Sequence, residues 1–414
     1  MRVMVVAGGS RGDVQPLVAL AQHIQSAGHD VTLAAPRDAE HVVSDRGLDY
    51  HRLDVSMTEQ MTTAAGRAWI ADSAGRPFTE LRHMRRVYEE TALPLADSLI
   101  GLSGRADLFV SGILTVDSLA SIAAYDGVAH ATALLCPFHP SADGRCGLTA
   151  QNPRTRRSNL TRTKIGRWLL ARSVTQAGRL VRGRLGMAET GATGFIRTLD
   201  TVATVLGASP LLVPAPHDWP STVTVTGAWT LPAHDHRRPP TQLTDFLEAG
   251  PPPVYLGFGS MAVVQPERIH AVALAAARAA RVRLILAGTE LDGLDGDDVI
   301  GVDNVPHEWL FPQVRAVVHH GGAGTTHAAL LAGVPQLAVP HIADQPYWGR
   351  RVHEAGVGPE PLPLNRLTVD RLSQRLRTLA QSADLVARAG DVGRQARGER
   401  GAAHAANTLL ASAS

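Results

Sequence analysis

"RVMVVAGGSRGDVQPLVALAQHIQSAGHDVTLAAP", residues 2–36, shows three patterns in succession. "RVMVVAG" is a short apolar run ending in glycine, "QPLVALAQHIQSAG" spaces its apolar residues as a helix does and stops at a glycine, and "VTLAAP" is apolar again. The spacing predicts a β-α-β unit, with the helix starting near Pro16. Apolar runs recur at "ADLFVSG" (106–112), "HATALLCP" (130–137) and "TVATVLGAS" (201–209), so the first half reads as an open, mostly parallel sheet with helices on both faces. The pattern restarts at "PPVYLGFGS" (252–260), "RIHAVALAAARAARV" (268–282), "RLILAG" (283–288) and "RAVVHHGGAG" (315–324). The expected fold class is therefore α/β: two Rossmann-like domains with parallel sheets and a cleft for ligand between them.

A proline-dense stretch without helical periodicity, "PLLVPAPHDWPSTVTVTGAWTLPAHDHRRPP" (210–240), separates the halves and has the composition of a boundary. The expected division is a first domain at 1–228, a linker at 229–240, a second domain at 241–390, and a final segment, 391–414, whose helix returns to the first domain. Residues 54–90 and the arginine-rich 151–168 fit neither period and read as inserted loops.

A length of 414 residues favours two domains, and a hydrophobic share of 44% supports large cores. The net charge of +2 and a pI of 8.7 come without a sustained basic run, which argues against nucleic acid and for a small-molecule partner. Cys136 and Cys146 are the only cysteines, too few for a disulfide framework, which fits a reducing cytoplasm. The start has neither a leader nor an anchor pattern, and no run approaches the roughly 20 apolar residues of a spanning helix. Membrane contact is not expected, and monomer or homodimer is left open.

"AVVHHGGAGTTHAALLAG" (316–333) reads as a strand, a turn at 321–324 and a helix from near Thr325 to Gly333. Gly322, Ala323, Gly324 and Thr325 would bring unpaired first-turn N–H groups and hydroxyls, Thr326 included, close to a ligand, and a diphosphate suits such a turn. His320 at its lip has a donor for the phosphate. A glycine turn between strand and helix can equally be a tight connection. Ser260, in the turn "LGFGSM" (256–261), is a further phosphate candidate or simply a turn serine.

With these residues in view, "VPHEWLFPQVRAVVHHGGAGTTHAALLAGVPQLAVPHIADQPYWGRRV" (305–352) resembles the donor-binding segment of inverting GT-B-fold glycosyltransferases, namely sterol glucosyltransferases and the actinobacterial antibiotic enzymes of vancomycin-pathway type. The resemblance implies that Asp344 and Gln345 bind donor-sugar hydroxyls, that Trp348 walls the sugar pocket, and that the base lies near Val305 and Pro306. A carboxylate beside a carboxamide suits vicinal hydroxyls, and an aromatic face suits a sugar ring. Plant members of the wider family carry a ribose-binding glutamate where Ala328 stands here. That leans towards a dTDP-sugar, but sterol-type enzymes also lack the glutamate and use UDP-glucose, so the expected co-substrate is a dTDP- or UDP-sugar, with no other cofactor.

At the other end, Gly8, Gly9 and Gly12 do not make G-x-G-x-x-G, and "VTLAAP" lacks the acidic residue of an NAD site. Asp13 is the candidate general base for an acceptor hydroxyl, as the resemblance to vancomycin-type enzymes implies for this "SRGD" context; its structural alternative is a helix cap. Ser10 and Arg11 are expected in the same cleft near the phosphates. Phe78, Phe138 and His139 are acceptor-side candidates, with Met84, Tyr88 and Trp168 as further apolar lining. "LDGLDGDD" (291–298) lacks cation-loop spacing, so no metal site is expected. The combined expectation is metal-independent, inverting transfer to a hydroxyl of a small hydrophobic aglycone. A sterol or lipid glucosyltransferase is the alternative, and a nucleotide-sugar epimerase is the reading from another class.

Overall fold

A computed structural model describes residues 1–144, 146–147, 155–231, 240–259, 265–288, 291, 294, 296–303 and 305–413. The chain divides into two compact units, one comprising Met1–Trp69, Phe78–Leu231 and Glu399–Ser414, the other Ile70–Pro77 and Pro232–Gly398. The second unit thus ends at Gly398 rather than at residue 390. Of the expected linker, residues 232–239 lie outside the described residues.

The first unit holds seven strands: β1 (Arg2–Val6), β2 (Asp30–Pro36), β3 (Asp49–Leu53), β4 (Leu108–Ser111), β5 (Ala129–Leu134), β6 (Thr204–Leu206) and β7 (Val223–Val225). They pair in the order β3-β2-β1-β4-β5-β6-β7, every pair parallel. Side chains alternate across β1. Val3 and Val5 pack with Leu17, Leu20 and Ile24 of helix Arg11–Ser26, while Met4 and Val6 pack with Leu95, Leu99 and Phe109 on the opposite face. Burial of both faces is why these strands read as continuous apolar runs. Leu409, in the last helix (Gly401–Ala413), joins the first of these clusters, and Glu399 accepts from Ser209 Oγ at 2.6 Å and from the Ala228 N–H at 3.2 Å.

The second unit holds β8 (Val254–Gly257), β9 (Leu284–Ala287), β10 (Val299–Val302), β11 (Ala316–His319) and β12 (Gln336–Ala338), in the parallel order β10-β9-β8-β11-β12. In both sheets the strand order reverses direction once, between β1 and β4 and between β8 and β11. Ligands of open parallel sheets bind beyond the carboxyl ends of strands at such a point.

Several local expectations are corrected. The first helix begins at Arg11, five residues before Pro16, because Ser10 and Asp13 cap it. The expected loop at 54–90 is helical, with Met57–Thr62, Ala64–Asp72 and Pro77–Ile100, and Arg156–Val174 is a helix where a basic loop was expected. No helix among the described residues is long and apolar enough to cross a membrane.

Candidate functional site

In the first unit, β1 runs into the turn Ala7–Gly9, and β4 leads through Leu114 to Thr115, the N-cap of helix Val116–Asp126. A side chain on Gly8 would meet Thr115 Cγ2 at 2.9 Å and Leu114 Cβ at 3.3 Å, so the two turns lie against each other at the switch point. Gly9 is held to glycine by Asp13, whose carboxylate occupies the place a Cβ would take.

Asp13 is partly exposed at the third position of the helix. Its Oδ2 accepts from the Ser10 N–H at 2.9 Å and from Ser10 Oγ at 3.3 Å, a reciprocal cap. Ser10 is therefore spent on the helix start rather than on a phosphate, and Arg11 is exposed on the helix's outer first turn. Next to this turn a cavity is lined by Gly8, Met57, Gln60, Tyr88, Leu114 and Ala177. Burial, and secondarily the charge of Asp13, raise the Tyr88 phenol above its ordinary range, which places the Asp13 charge within reach of the cavity wall.

The expected acceptor residues stand elsewhere. His139 is buried, with Nε2 2.8 Å from the Leu199 carbonyl and its ring against Trp219, so hydrogen bonding to its own core uses it. Phe78 is 80% exposed at the start of its helix, Met84 is in the core, and Trp168 lies under the Arg172 guanidinium. Phe138 is half-buried and does not line the cavity. Of the aromatic candidates only Tyr88 does.

In the second unit, the switch point joins the turn after β8, at Phe258 and Gly259, to the turn after β11. The helix there is Ala323–Ala332, two residues longer at its start than expected, with Gly322 as its N-cap. The N–H groups of Ala323, Gly324 and Thr325 lead the helix ahead of its first bond, from the Thr326 N–H to the Gly322 carbonyl at 3.0 Å. Thr325 is half-exposed, but Thr326 is fully buried and donates its hydroxyl back to the Gly322 carbonyl at 2.9 Å, so it is not a ligand donor.

The two histidines divide the work. His319 is fully buried: Nδ1 accepts from the Gly321 N–H at 3.0 Å and Nε2 donates to Gln336 Oε1 at 2.9 Å, while Gln336 Nε2 donates to the Thr326 carbonyl at 3.2 Å. This chain locks the turn, where Gly321 has φ +92°. Gln336, a polar residue in a buried strand, was not legible as part of the site. Burial lowers His319 to about 4, so it stays neutral as the chain of bonds requires.

His320 is half-buried, with Nε2 over Gly322 and Cε1 facing Gly259 at 3.8 Å from where a Cβ would stand. It joins the two turns over the helix start. Burial first, then the imidazoles of His319, His341 and His307, hold it well below its ordinary range. Ser260 lies outside the described residues.

Asp344 caps helix Gln345–Glu354, is half-exposed, and accepts from Trp348 Nε1 at 2.8 Å; the backbone before it is strained, with φ +57° at Ala343. Trp348, expected as a wall of the sugar pocket, is fully buried against His327 and Tyr347, so it aims the carboxylate of Asp344 instead. Gln345 Oε1 accepts from the N–H groups of His341 and Ile342 at 2.8 and 3.1 Å, which leaves only its amide nitrogen for a ligand. Val305 packs into the core, and Pro306 is half-exposed at the cap of helix His307–Leu310. Replacing Trp348 by Phe removes one charge-assisted hydrogen bond, of about 1.5 kcal/mol. The expected outcome is a roughly tenfold rise in the KM for a nucleotide sugar with an unchanged Kd for the nucleoside diphosphate, checked by steady-state kinetics and calorimetry.

Residues 3–108 match the glycosyltransferase family 28 N-terminal domain, and residues 287–408 match the erythromycin biosynthesis protein CIII-like C-terminal domain. The vancomycin aglycone glucosyltransferase of Amycolatopsis orientalis is 34% identical over 99% of this chain and 97% of its own length. A sterol 3-beta-glucosyltransferase of Arabidopsis thaliana, UGT80A2, is 32% identical over 91% of this chain, which spans 60% of that longer protein. Among solved structures, the glycosyltransferase VinC in complex with dTDP superposes with a TM-score of 0.65 at 24% identity, covering 100% of this chain and 99% of VinC. Two parallel-sheet units with these matches are those of the GT-B fold, and the chain belongs to the glycosyltransferase family that includes the vancomycin aglycone glucosyltransferase.

Proposed function

We propose that the chain transfers a sugar from a dTDP- or UDP-sugar to a hydroxyl of a small hydrophobic aglycone, with inversion and without a metal. The observation that carries this reading is the helix start at Gly322–Thr325, topped by His320 and followed by the half-exposed carboxylate of Asp344. Three leading N–H groups and the helix dipole suit a diphosphate, and an imidazole above them suits the charge that grows as it leaves. Asp344 and the amide of Gln345 suit the sugar hydroxyls, and Pro306 borders the base.

In the first unit, Asp13 takes the proton from the acceptor hydroxyl as its oxygen attacks the anomeric carbon from the side opposite the nucleotide. Beside it, Met57, Tyr88, Leu95 and Leu114 give a small cavity an apolar lining, and we assign the acceptor to this side. VinC, whose structure holds dTDP, and Ala328 in place of a ribose-binding carboxylate both favour dTDP-sugar. A sterol or lipid acceptor is the second reading, favoured by the likeness to the plant sterol glucosyltransferase. We place the reaction in the cytoplasm, where nucleotide sugars are made. The test is incubation with dTDP-glucose and UDP-glucose against panels of polyketide, glycopeptide and sterol acceptors, read by mass spectrometry. Gain of one hexose on an aglycone supports the reading; donor hydrolysis alone with every acceptor counts against it.

A further inference from the structure

Read as a loop, the arginine-rich stretch gives no reason to expect a membrane; folded as helix Arg156–Val174, it acquires two faces. Asn159, Thr163, Arg167, Leu170 and Val174 are buried, with Arg167 paired to Asp200 at 2.6 Å. Arg157, Thr161, Lys164, Ile165, Trp168 and Arg172 follow one another at helical steps of three and four and are all exposed, so they form one stripe along the outer side. Ile165 is 54% exposed and Trp168 44%, two large apolar side chains set among cations. The Arg172 guanidinium lies over the indole, 4.8 Å from the ring centre. Arg157, Lys164 and Arg172 meet no carboxylate among the described residues.

Residues 156–184, which include the next helix, Gln176–Arg184, hold nine Arg or Lys and no Asp or Glu, in a chain whose net charge is only +2. Positive charge is therefore concentrated in these two consecutive helices. A single exposed leucine or isoleucine on a surface needs no explanation, but an exposed Trp and Ile side by side in an acid-free basic stripe do. The surface of an anionic bilayer matches both parts of the stripe: its headgroups attract the cations, and an indole and an aliphatic chain settle at the boundary between headgroups and acyl chains. Nucleic acid matches only the first part, because Arg172 covers the indole face on which a base would stack and Ile165 has no role there. We propose that helix Arg156–Val174 is a docking surface for an anionic phospholipid bilayer, lying on the membrane rather than crossing it. This goes beyond the transferase reading. The helix ends at Val174, which lines the cavity that also includes Gly8, so attachment brings apolar molecules dissolved in the bilayer to the side assigned to the acceptor.

Co-sedimentation of the full chain with vesicles of phosphatidylcholine, made with and without phosphatidylglycerol, tests this. Binding is expected to the phosphatidylglycerol vesicles alone, and should be lost near 1 M salt, where the reach of surface charge falls to about 3 Å. Arg157→Gln with Lys164→Gln should weaken binding about 25-fold, since each cation near such a surface is worth about fivefold, or about 1 kcal/mol. Ile165→Ser with Trp168→Ser should weaken it about tenfold or more and leave the salt dependence of the wild type, because apolar burial is not screened. Phosphatidylglycerol with brominated acyl chains should quench the tryptophan fluorescence of the wild type more than that of Trp168→Phe. No sedimentation with phosphatidylglycerol vesicles, or wild-type binding by both double variants, overturns the proposal. So does binding to duplex DNA as tight as to the vesicles together with an unaffected serine variant, the behaviour of a general polyanion surface. Arg157 and Lys164 are exposed, so the glutamine variant should melt with the wild type and decides the matter if the serine variant fails to fold.

Discussion

Replacing Asp13 by Asn should lower kcat by about 10²–10⁴, the range that removal of a positioned general base produces. The substitution separates the two duties the carboxylate holds. As a cap, Asp13 accepts from the Ser10 N–H, a bond the Asn carbonyl can still accept, so the structural loss is confined to the charge at the helix start, about 0.3–1 kcal/mol. As a base, Asn supplies nothing. The expected result is a small drop in melting temperature with a large drop in kcat, and a nucleotide affinity equal to that of the wild type. A kcat reduced less than tenfold, at intact folding, would make Asp13 a helix cap only.

The second large effect concerns stability. Asp117, in the first turn of helix Val116–Asp126, is 6% exposed; Oδ2 stands where a side chain on Gly178 would begin and has no hydrogen-bond partner among the described residues. Burial raises it to about 6, against a smaller opposing effect of Arg182 and Arg179. An unfolded aspartate titrates near 3.9. Between these values the folded chain binds more protons than the unfolded one, so stability falls as pH rises from about 4 to 6 and stays reduced above that. A carboxyl raised that far costs the folded chain about 3 kcal/mol once it is ionised. Asp117→Asn removes the ionisation and should raise the melting temperature by roughly 5–10 °C at pH 8, with the difference vanishing near pH 4. Equal melting curves at pH 8 would show that Asp117 is paired in solution.

How much of this was legible in the sequence follows from the range of each interaction. The β-α-β pattern and the glycine turn after β11 are local, and residues 2–36 and 316–333 announced them. The switch points are not local: that β1 lies beside β4, and β8 beside β11, depends on pairing between distant segments. Some local signals were present but outweighed. Ser10 and Asp13 stand three apart, the spacing of a reciprocal helix cap, yet Pro16 drew the expected helix start five residues too far along. Asp344 and Trp348 stand four apart, which puts them on one helical face and accounts for the indole's bond to the carboxylate rather than to a sugar. Helix Pro77–Ile100 was hidden by Pro94 in its interior, although Arg85 with Glu89 and Arg86 with Glu90 have the i,i+4 spacing of a solvated helical face. Gln336 left no trace, because one polar residue in a three-residue strand has no periodicity to break.

The measurement that bears most directly on the central claim is a thermal-shift titration with UDP, dTDP, GDP and NAD on the wild type and on His320→Ala. A nucleotide at 100 times its Kd stabilises by about 2.7 kcal/mol, well within reach of the method. A rise in melting temperature with dTDP or UDP, clearly smaller in His320→Ala, is the predicted result. Stabilisation by NAD alone, by none of the four, or equally in both proteins would contradict a donor site at the Gly322–Thr325 turn.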